Sequence, residues 1–524
     1  MTIKPASSIS RPHVTERTKA FWWSLLALGI LERAWVLWRF AFRHVGIDDA
    51  LIWSIARDYG EGIFREPFMY GQNYNLMLEA LVAAPFVSLG GDPWIVLPIV
   101  TALMALAPFW SWSFWCLRQG SLWPATILAA TPLMLPVEWG MLTSMTRGFV
   151  DGLALLALLP WTLNWRSAPA RAYVSALVLS WAALCNPNMF LPGVVFAIYL
   201  VTCDARTWKF WVAGMLGALP AAAFHVIGTA YFSERPSDLV HHIRPDELSW
   251  SWDYFREGIS DLHEHLDHLF WSLGWDGLEL GVVLLLPLLL LLRQRRWPVA
   301  TFIGIPLLLG ILALGMGKTH DGCASLFYPL ARMYLGLPLI IALAWSLVLV
   351  RRPISFIPLT TLLFVCIISV GWKAYALPEA IQKALAEQEC GFVREEPIDM
   401  VRQQCLELTQ AANAVDADVV VPIPWPDLRK DHRTHFQAHF ICYACQELVP
   451  GFPPVLGAGF DRRAWNRNAL ETGPAGTVLF VGGHPSGWPL DQVPFRSVSN
   501  SERADLRVVH AGKRSLRSLL WPPS

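Results

Sequence analysis

The sequence predicts a mainly α membrane protein: a bundle of about eleven transmembrane helices, then a C-terminal extracytoplasmic α/β domain. Three observations carry that expectation. Of 524 residues, 54% are hydrophobic and only 16% are charged, whereas soluble domains run at about 25% charged. Tryptophan occurs 27 times, and Trp concentrates at membrane–water interfaces. Eleven apolar stretches alternate with short loops, and the basic residues of those loops fall on one side. With 41 basic and 41 acidic residues the net charge is zero. That excludes a basic nucleic-acid binder and an acidic disordered chain.

Residues 1–20 are polar and carry Arg11, Arg17 and Lys19. The stretch 21–42 is too long for a signal-peptide core and lacks a small-residue cleavage site, so it reads as an uncleaved first span. The other stretches are 94–116, 121–137, 148–164, 172–185, 189–203, 210–232, 278–292, 298–316, 333–350 and 354–372. Several are shorter than the ~20 residues that a straight helix needs. Arg118, Arg166 with Arg171, Arg206 with Lys209, Arg293 with Arg295 and Arg296, and Arg351 with Arg352 all lie in alternate loops. The positive-inside rule makes that side, and the N-terminus, cytoplasmic. A transmembrane domain is therefore expected over 21–373, with outer loops 43–93 and 233–277. The tail, 374–524, holds no membrane-length apolar run. It reads as a helix over 380–412 and strands at 418–423, 477–482 and 505–510, a small outer α/β domain.

Nine cysteines divide by position. Cys116, Cys185, Cys203 and Cys366 lie in or near spans and read as packing residues. Cys323 is in an outer loop. Cys390, Cys405, Cys442 and Cys445 are in the tail, where an oxidising compartment permits disulfides. The Cys442-Tyr-Ala-Cys445 spacing suits a redox or zinc site, but no second ligand pair accompanies it, and a structural disulfide is the plainer reading. Glu32, Arg33 and Arg39 fall inside the first span. Adjacent residues do not share a helix face, so Glu32 and Arg33 are each expected to find a partner elsewhere.

Polar groups crowd the outer loops. The first begins Gly46-Ile47-Asp48-Asp49-Ala50. Two adjacent carboxylates repel, which raises one pKa or holds a cation, and either suits a general base. The plainer alternative is a helix N-cap. Residues 52–60 form an amphipathic helix expected to lie along the membrane surface. Tyr70, Gln72 and Asn73 supply hydrogen bonds of the kind that read sugar hydroxyls. Glu79 sits in an apolar stretch, where a carboxylate is costly. Gly317-Lys318-Thr319-His320-Asp321-Gly322 is either a polar turn or a phosphate or sugar contact through Lys318 and His320. In loop 233–277, His241, His242, His263, His265 and His268 lie among acids, but their spacing matches no zinc signature. A surface helix is the preferred reading, with Trp250, Trp252, Trp271 and Trp275 as membrane anchors or sugar-stacking rings.

The order of these motifs is specific. A span is followed by Asp48-Asp49, then a helix ending in Gly60-Glu61-Gly62, then Tyr70-Gly71-Gln72-Asn73-Tyr74 and Leu78-Glu79-Ala80. It resembles the GT-C superfamily of membrane glycosyltransferases, related to protein mannosyltransferases and aminoarabinose transferases. The likeness covers residues 25–90 and continues at Thr146-Arg147-Gly148-Phe149-Val150-Asp151. It returns at Tyr328-Pro329-Leu330-Ala331-Arg332-Met333-Tyr334, where Met333 separates an Arg and Tyr that are usually adjacent. The resemblance implies transfer of a sugar from a polyprenyl-phosphate carrier to an acceptor protein, lipid or glycan on the periplasmic face of a bacterial inner membrane. It implies an inverting displacement without metal or cofactor. Asp48 or Asp49 would be the base, and Asp151 would orient a substrate. Arg147, Lys318 and Arg332 would hold the phosphate, since guanidinium groups bind phosphate bidentately. Interfacial snorkelling is the alternative for the arginines. Two rival functions remain at this point: a transporter or flippase for a lipid-linked sugar, and a non-catalytic assembly protein. A transporter predicts internal repeats and ionisable groups at the bilayer midplane, neither of which the sequence displays.

Overall fold

The computed structural model describes residues 16–233, 245–271, 278–350, 356–386, 395–422, 436–456, 476–481, 496–497, 506–515 and 518. His241, His242, Trp275, Arg11, Arg351, Arg352 and Cys390 lie outside the described residues. Two compact units form. The first comprises Met1–Ala41, Pro98–Val226 and Arg244–Cys390; the second comprises Phe42–Leu97, Ile227–Ile243 and Gly391–Ser524.

The protein is a mainly α membrane protein. Seven described helices are long and apolar enough to cross a bilayer: Lys19–Ala41, Pro93–Arg118, Ala168–Cys185, Pro187–Asp204, Trp208–Ser233, Leu330–Leu349 and Ile357–Ala386. Four other expected spans are helical but shorter, at Leu122–Met134, Asp151–Thr162, Val282–Arg293 and Trp297–Ala313. A 3-10 turn at Leu156–Leu158 interrupts one of them. A further short apolar helix, Leu78–Ser88, lies between the first two long apolar helices. In the first unit, the helix Glu16–Val36 packs on Leu122–Met134 and on Phe356–Ala386.

A buried ion cluster joins these three helices. Lys373 Nζ lies 3.1 Å from Glu32 Oε1 and donates to the Pro132 carbonyl at 3.0 Å. Arg33 Nη1 donates to the Gly140 carbonyl at 2.9 Å and to Thr143 Oγ1 at 3.0 Å, and its guanidinium covers the Trp139 ring at 4.4 Å. Glu32 and Arg33 thus find the outside partners expected of them. They also touch each other, with Nε 3.2 Å from Oε2. Their long stems curl around the helix far enough for neighbours to meet. Lys373 is 2% exposed, and its helix runs on to Ala386. Burying an unpaired charge costs several kcal/mol, so each of these groups requires the others.

In the second unit, β1 (His44–Gly46) pairs antiparallel with β2 (Glu395–Pro397). The tail builds a four-stranded sheet from β3 (Val419–Pro422), β4 (Gly476–Val481), β5 (Arg496–Ser497) and β6 (Leu506–Gly512), in the order β3-β4-β6-β5. β3 and β4 are parallel; the other pairs are antiparallel. Three of these strands fall on the expected stretches; β5, two residues long, carries no hydrophobic signal. Gly476 has φ +59°, and a Cβ there would fall 2.0 Å from Asp418 Oδ2, the oxygen that accepts the Thr477 amide at 2.8 Å. The expected 380–412 helix is two helices, Phe356–Ala386 and Ile398–Ala414.

A disulfide ties the helix Ile398–Ala414 to the helix Phe436–Leu448 through Cys405 and Cys445. Cys442 is a buried free thiol that burial pushes up to about 12. The expected structural disulfide exists, but the CxxC pair does not form it. Cys323 is also disulfide-bonded. Cys116, Cys185 and Cys366 are buried thiols as expected, whereas Cys203 is exposed. The Cys405–Cys445 bond closes a loop of 40 residues, worth about 4 kcal/mol in the chain-entropy account. Cys405→Ser is expected to lower tail stability by that order in denaturant unfolding of the full chain. Cys442→Ser should leave the 405–445 bond intact in peptide mapping.

Candidate functional site

In the first unit, three expected phosphate ligands converge on the segment 317–332. Lys318 Nζ contacts Asp321 Oδ2 at 2.6 Å and Glu247 Oε2 at 3.0 Å. Arg332 Nη2 lies 3.3 Å from the same Asp321 oxygen and donates to the Asp321 carbonyl, while Nη1 donates to the Pro329 carbonyl at 3.0 Å. Arg147 Nη1 donates to the Phe327 carbonyl. Tyr328 donates its hydroxyl to Asp321 Oδ2 at 3.0 Å, and its ring lies 4.1 Å under the Arg332 guanidinium. Asn188 donates to the Phe149 and Arg332 carbonyls, which ties the Arg147 segment to the Arg332 turn. Asp151 opens a helix in full burial. Arg332 sits in a 3-10 turn, Leu330–Tyr334, and its guanidinium lies against Asp321.

Burial opposes ionisation of Asp321. The Lys318 hydrogen bond, the charges of Arg332 and Lys318 and the Tyr328 hydroxyl outweigh it and hold the carboxyl below its ordinary value. The close approach of Arg332 needs a residue without a side chain at 322. A Cβ on Gly322 would fall 2.5 Å from Arg332 Nη1 and 2.8 Å from the Tyr328 carbonyl oxygen.

His320 lies on the same turn. Its Nε2 is 2.7 Å from the Leu314 carbonyl, its ring stacks on Tyr254 at 5.1 Å, and His265 meets it edge-on at 5.0 Å. His265 is 1% exposed. Burial first, then the nearby His320 charge, pull its pKa down to about 4 against the opposing pull of Asp261. The helix Trp252–Ser260 starts at a Ser251 cap and leaves Trp250 and Trp252 exposed, as the surface-helix reading requires. His263 lies 3.9 Å from Glu264, and His268 lies 3.9 Å from Asp267. Among the described residues no group of three His, Cys, Asp or Glu is placed to hold a metal.

In the second unit, Asp48 and Asp49 open the helix Ile47–Gly60. They are not equivalent. Asp49 is buried, and its Oδ2 accepts the Gly46 amide at 3.0 Å, the capping role weighed above. Asp48 is half-buried. The apolar face of this helix, with Ile52, Trp53, Ile55 and Ala56, is buried. The helix packs on Leu78–Ser88 and Phe436–Leu448, so protein rather than a membrane surface covers that face. Arg57 reaches Glu447 at 3.0 Å. Tyr70 donates to Asp58 at 2.8 Å, and Arg65 pairs with the same carboxylate at 2.7 Å. Burial and the Asp58 charge push the Tyr70 phenol well above its ordinary value, so it remains a donor. Gln72 and Asn73 lie on the adjoining turn, where Glu66 accepts the Gly71 amide at 2.7 Å. Glu79 is fully buried in the first turn of its helix.

No family model matches the sequence, and no curated protein matches it. Solved structures do. ArnT from Cupriavidus metallidurans in the apo state aligns with TM-score 0.54 over 96% of this chain and 100% of that chain, at 14% identity. The same protein bound to undecaprenyl phosphate aligns with TM-score 0.51 over 92% of this chain and 97% of that one, also at 14% identity. The chain has the ArnT fold.

Sequence reasoning missed Asp321 as a partner of both cations. It also missed Asp58, Arg65 and Glu66, which organise the Tyr70 turn. The 317–322 motif held the signal for Asp321, since a carboxylate three residues after a lysine in a tight turn meets it. Gly322→Ala is expected to displace Arg332 and cost about 1–3 kcal/mol, read as a lowered melting temperature. His265 favours its neutral form when folded, whereas an unfolded imidazole takes a proton near pH 6.5. Stability is therefore constant above that pH, falls as pH drops towards 4, and levels below it. The loss approaches roughly 3 kcal/mol. His265→Gln should flatten that limb of a melting-temperature series between pH 7 and 4.5.

Proposed function

We propose that this protein is a glycosyltransferase that moves a sugar from a polyprenyl-phosphate carrier to an acceptor. The observation that carries the reading is the fold-wide likeness to ArnT, a protein solved with undecaprenyl phosphate bound. The clustering of Lys318, Arg332 and Arg147 supports it, because a lipid phosphate needs cations and donors at the site where it loses its sugar.

The chemistry follows from the side chains. An acceptor hydroxyl attacks the anomeric carbon while the bond from that carbon to the carrier phosphate breaks. One displacement inverts the centre. Lys318, Arg332 and Arg147 hold the departing phosphate and offset its growing charge. A carboxylate takes the acceptor proton. Of the two adjacent acids, Asp48 is the better base, because it is the more exposed to an incoming acceptor. Asp151 orients a substrate. Tyr70, Gln72, Asn73 and Glu79 read hydroxyls, with Tyr70 acting through its bond to Asp58, and His320 adds a sugar or phosphate contact. No metal is required in this scheme. The protein resides in a bacterial inner membrane, with its N-terminus cytoplasmic and its tail periplasmic. The basic residues of alternate loops support that orientation.

Purified full-length protein in nanodiscs, given a panel of radiolabelled polyprenyl-phosphate sugars, should release sugar from at least one donor. Asp48→Asn is expected to lower the rate by about 100-fold or more, the usual scale for losing a general base. Asp49→Asn should act mainly on stability, by about 1 kcal/mol, as for a lost cap. Full transfer by both variants would sink the base assignment. Failure of the wild-type protein across a broad panel would sink the transferase reading.

A further inference from the structure

Asp321 has no part in the steps above, yet it occupies their centre. One of its oxygens, Oδ2, receives Lys318 at 2.6 Å and Tyr328 at 3.0 Å, and faces Arg332 at 3.3 Å. Glu247 takes the other side of Lys318 at 3.0 Å. Lys318 and Arg332 are therefore already matched by two carboxylates before any ligand arrives. The cations are 13% and 8% exposed, while Asp321 is 33% exposed. The fixed negative charge is the member of the cluster that a ligand meets. Lys318 and Arg332 hold Asp321 ionised at neutral pH. The other polar and charged groups nearby are His320 on the same turn, Tyr328 and Arg147.

The carrier changes charge during the reaction. A sugar-loaded carrier is a phosphodiester with one negative charge. Transfer breaks the bond between the anomeric carbon and the phosphate oxygen, and the electron pair stays on that oxygen. The acceptor oxygen bonds to the carbon and its proton goes to the base. The spent carrier is then a phosphate monoester, with a second pKa near 6 and close to two negative charges at pH 7. Repulsion by a fixed charge scales with the charge on the ligand. The same scaling applies to the attraction of Lys318, Arg332 and Arg147 and to the repulsion of Glu247, so the share that belongs to Asp321, beside the two cations that would bind the phosphate, is the change that its neutralisation makes.

We propose that Asp321 is a specificity-determining residue that penalises the dianionic spent carrier more than the monoanionic phosphodiester donor, and so promotes product release. The proposal rests on the reading that Lys318 and Arg332 hold the carrier phosphate. A purely structural role makes a different prediction: if Asp321 only holds the two cations in place, neutralising it weakens both ligands equally.

The test uses full-length protein in nanodiscs and two short probes, farnesyl phosphate and farnesyl methyl phosphate, titrated at pH 7.5. Wild-type protein sets the reference ratio of diester to monoester affinity. Asp321→Asn should tighten the monoester about tenfold and the diester about threefold, since the logarithm of the effect follows ligand charge. Asp321→Ser should behave alike, and Asp321→Glu should keep the wild-type ratio. At pH 5, where the monoester carries one charge, Asp321→Asn should affect the two probes alike. An unchanged ratio in both neutral variants, equal weakening of both probes, or absence of binding overturns the proposal. The second neutral variant keeps the test decisive where the first does not fold. Sugar transfer assayed on the same samples separates the two readings. Transfer with an unshifted ratio removes only the role of Asp321, whereas no transfer from any donor removes the reaction itself.

Discussion

A carboxylate out of reach of water must be paired, and in this protein that requirement shapes the bundle. Glu32 is 3% exposed and has Lys373 on one oxygen and Arg33 on the other. Those contacts join the first helix of the chain to one that begins more than 300 residues later. Apolar packing is non-directional and lets helices slide and rotate against one another. A buried ion cluster has one satisfied arrangement, and losing one partner strands the others at a cost of several kcal/mol. The Pro132 carbonyl under Lys373 and the Gly140 carbonyl under Arg33 extend the lock to the helices between.

The same rule acts in the 317–332 turn, with a different result. Asp321, Lys318, Glu247 and Arg332 also compensate one another, but here one member reaches solvent. A closed cluster fixes helices; this one leaves a carboxylate at its rim. Tyr328 braces both charges, donating to the carboxylate and lying beneath the guanidinium.

Much of the fold was legible because both of its patterns are local. An apolar stretch between charged loops is a helix wherever it occurs, and each such stretch is one. The tail strands were legible from the Val-rich stretches 419–422 and 506–512. What escaped was set by distant partners. The apolar face of the helix Ile47–Gly60 looked like a membrane-seeking face, because nothing local says that Phe436–Leu448 covers it. Cys442 and Cys445 looked like a pair because they are close in sequence. On a helix both can face one way, and the disulfide goes to Cys405 on the helix that packs there. The site was half legible. The family resemblance pointed to Arg147, Lys318 and Arg332, and the structure brings all three to one segment. The difference between Asp48 and Asp49 was invisible until the Gly46 amide was placed.

A shared fold over nearly the whole chain at 14% identity follows from the physics of such a bundle. Lipid-facing and inter-helix apolar positions accept one another's residues at small cost when volume is kept. Sequence can therefore drift there without moving a helix. Buried charges and backbone-limited approaches have no such freedom. Glu32 needs a cation at the position of Lys373, and Arg332 needs a residue without Cβ at 322. The positions that hold this fold in place are thus few and polar, set in an apolar background that is free to vary.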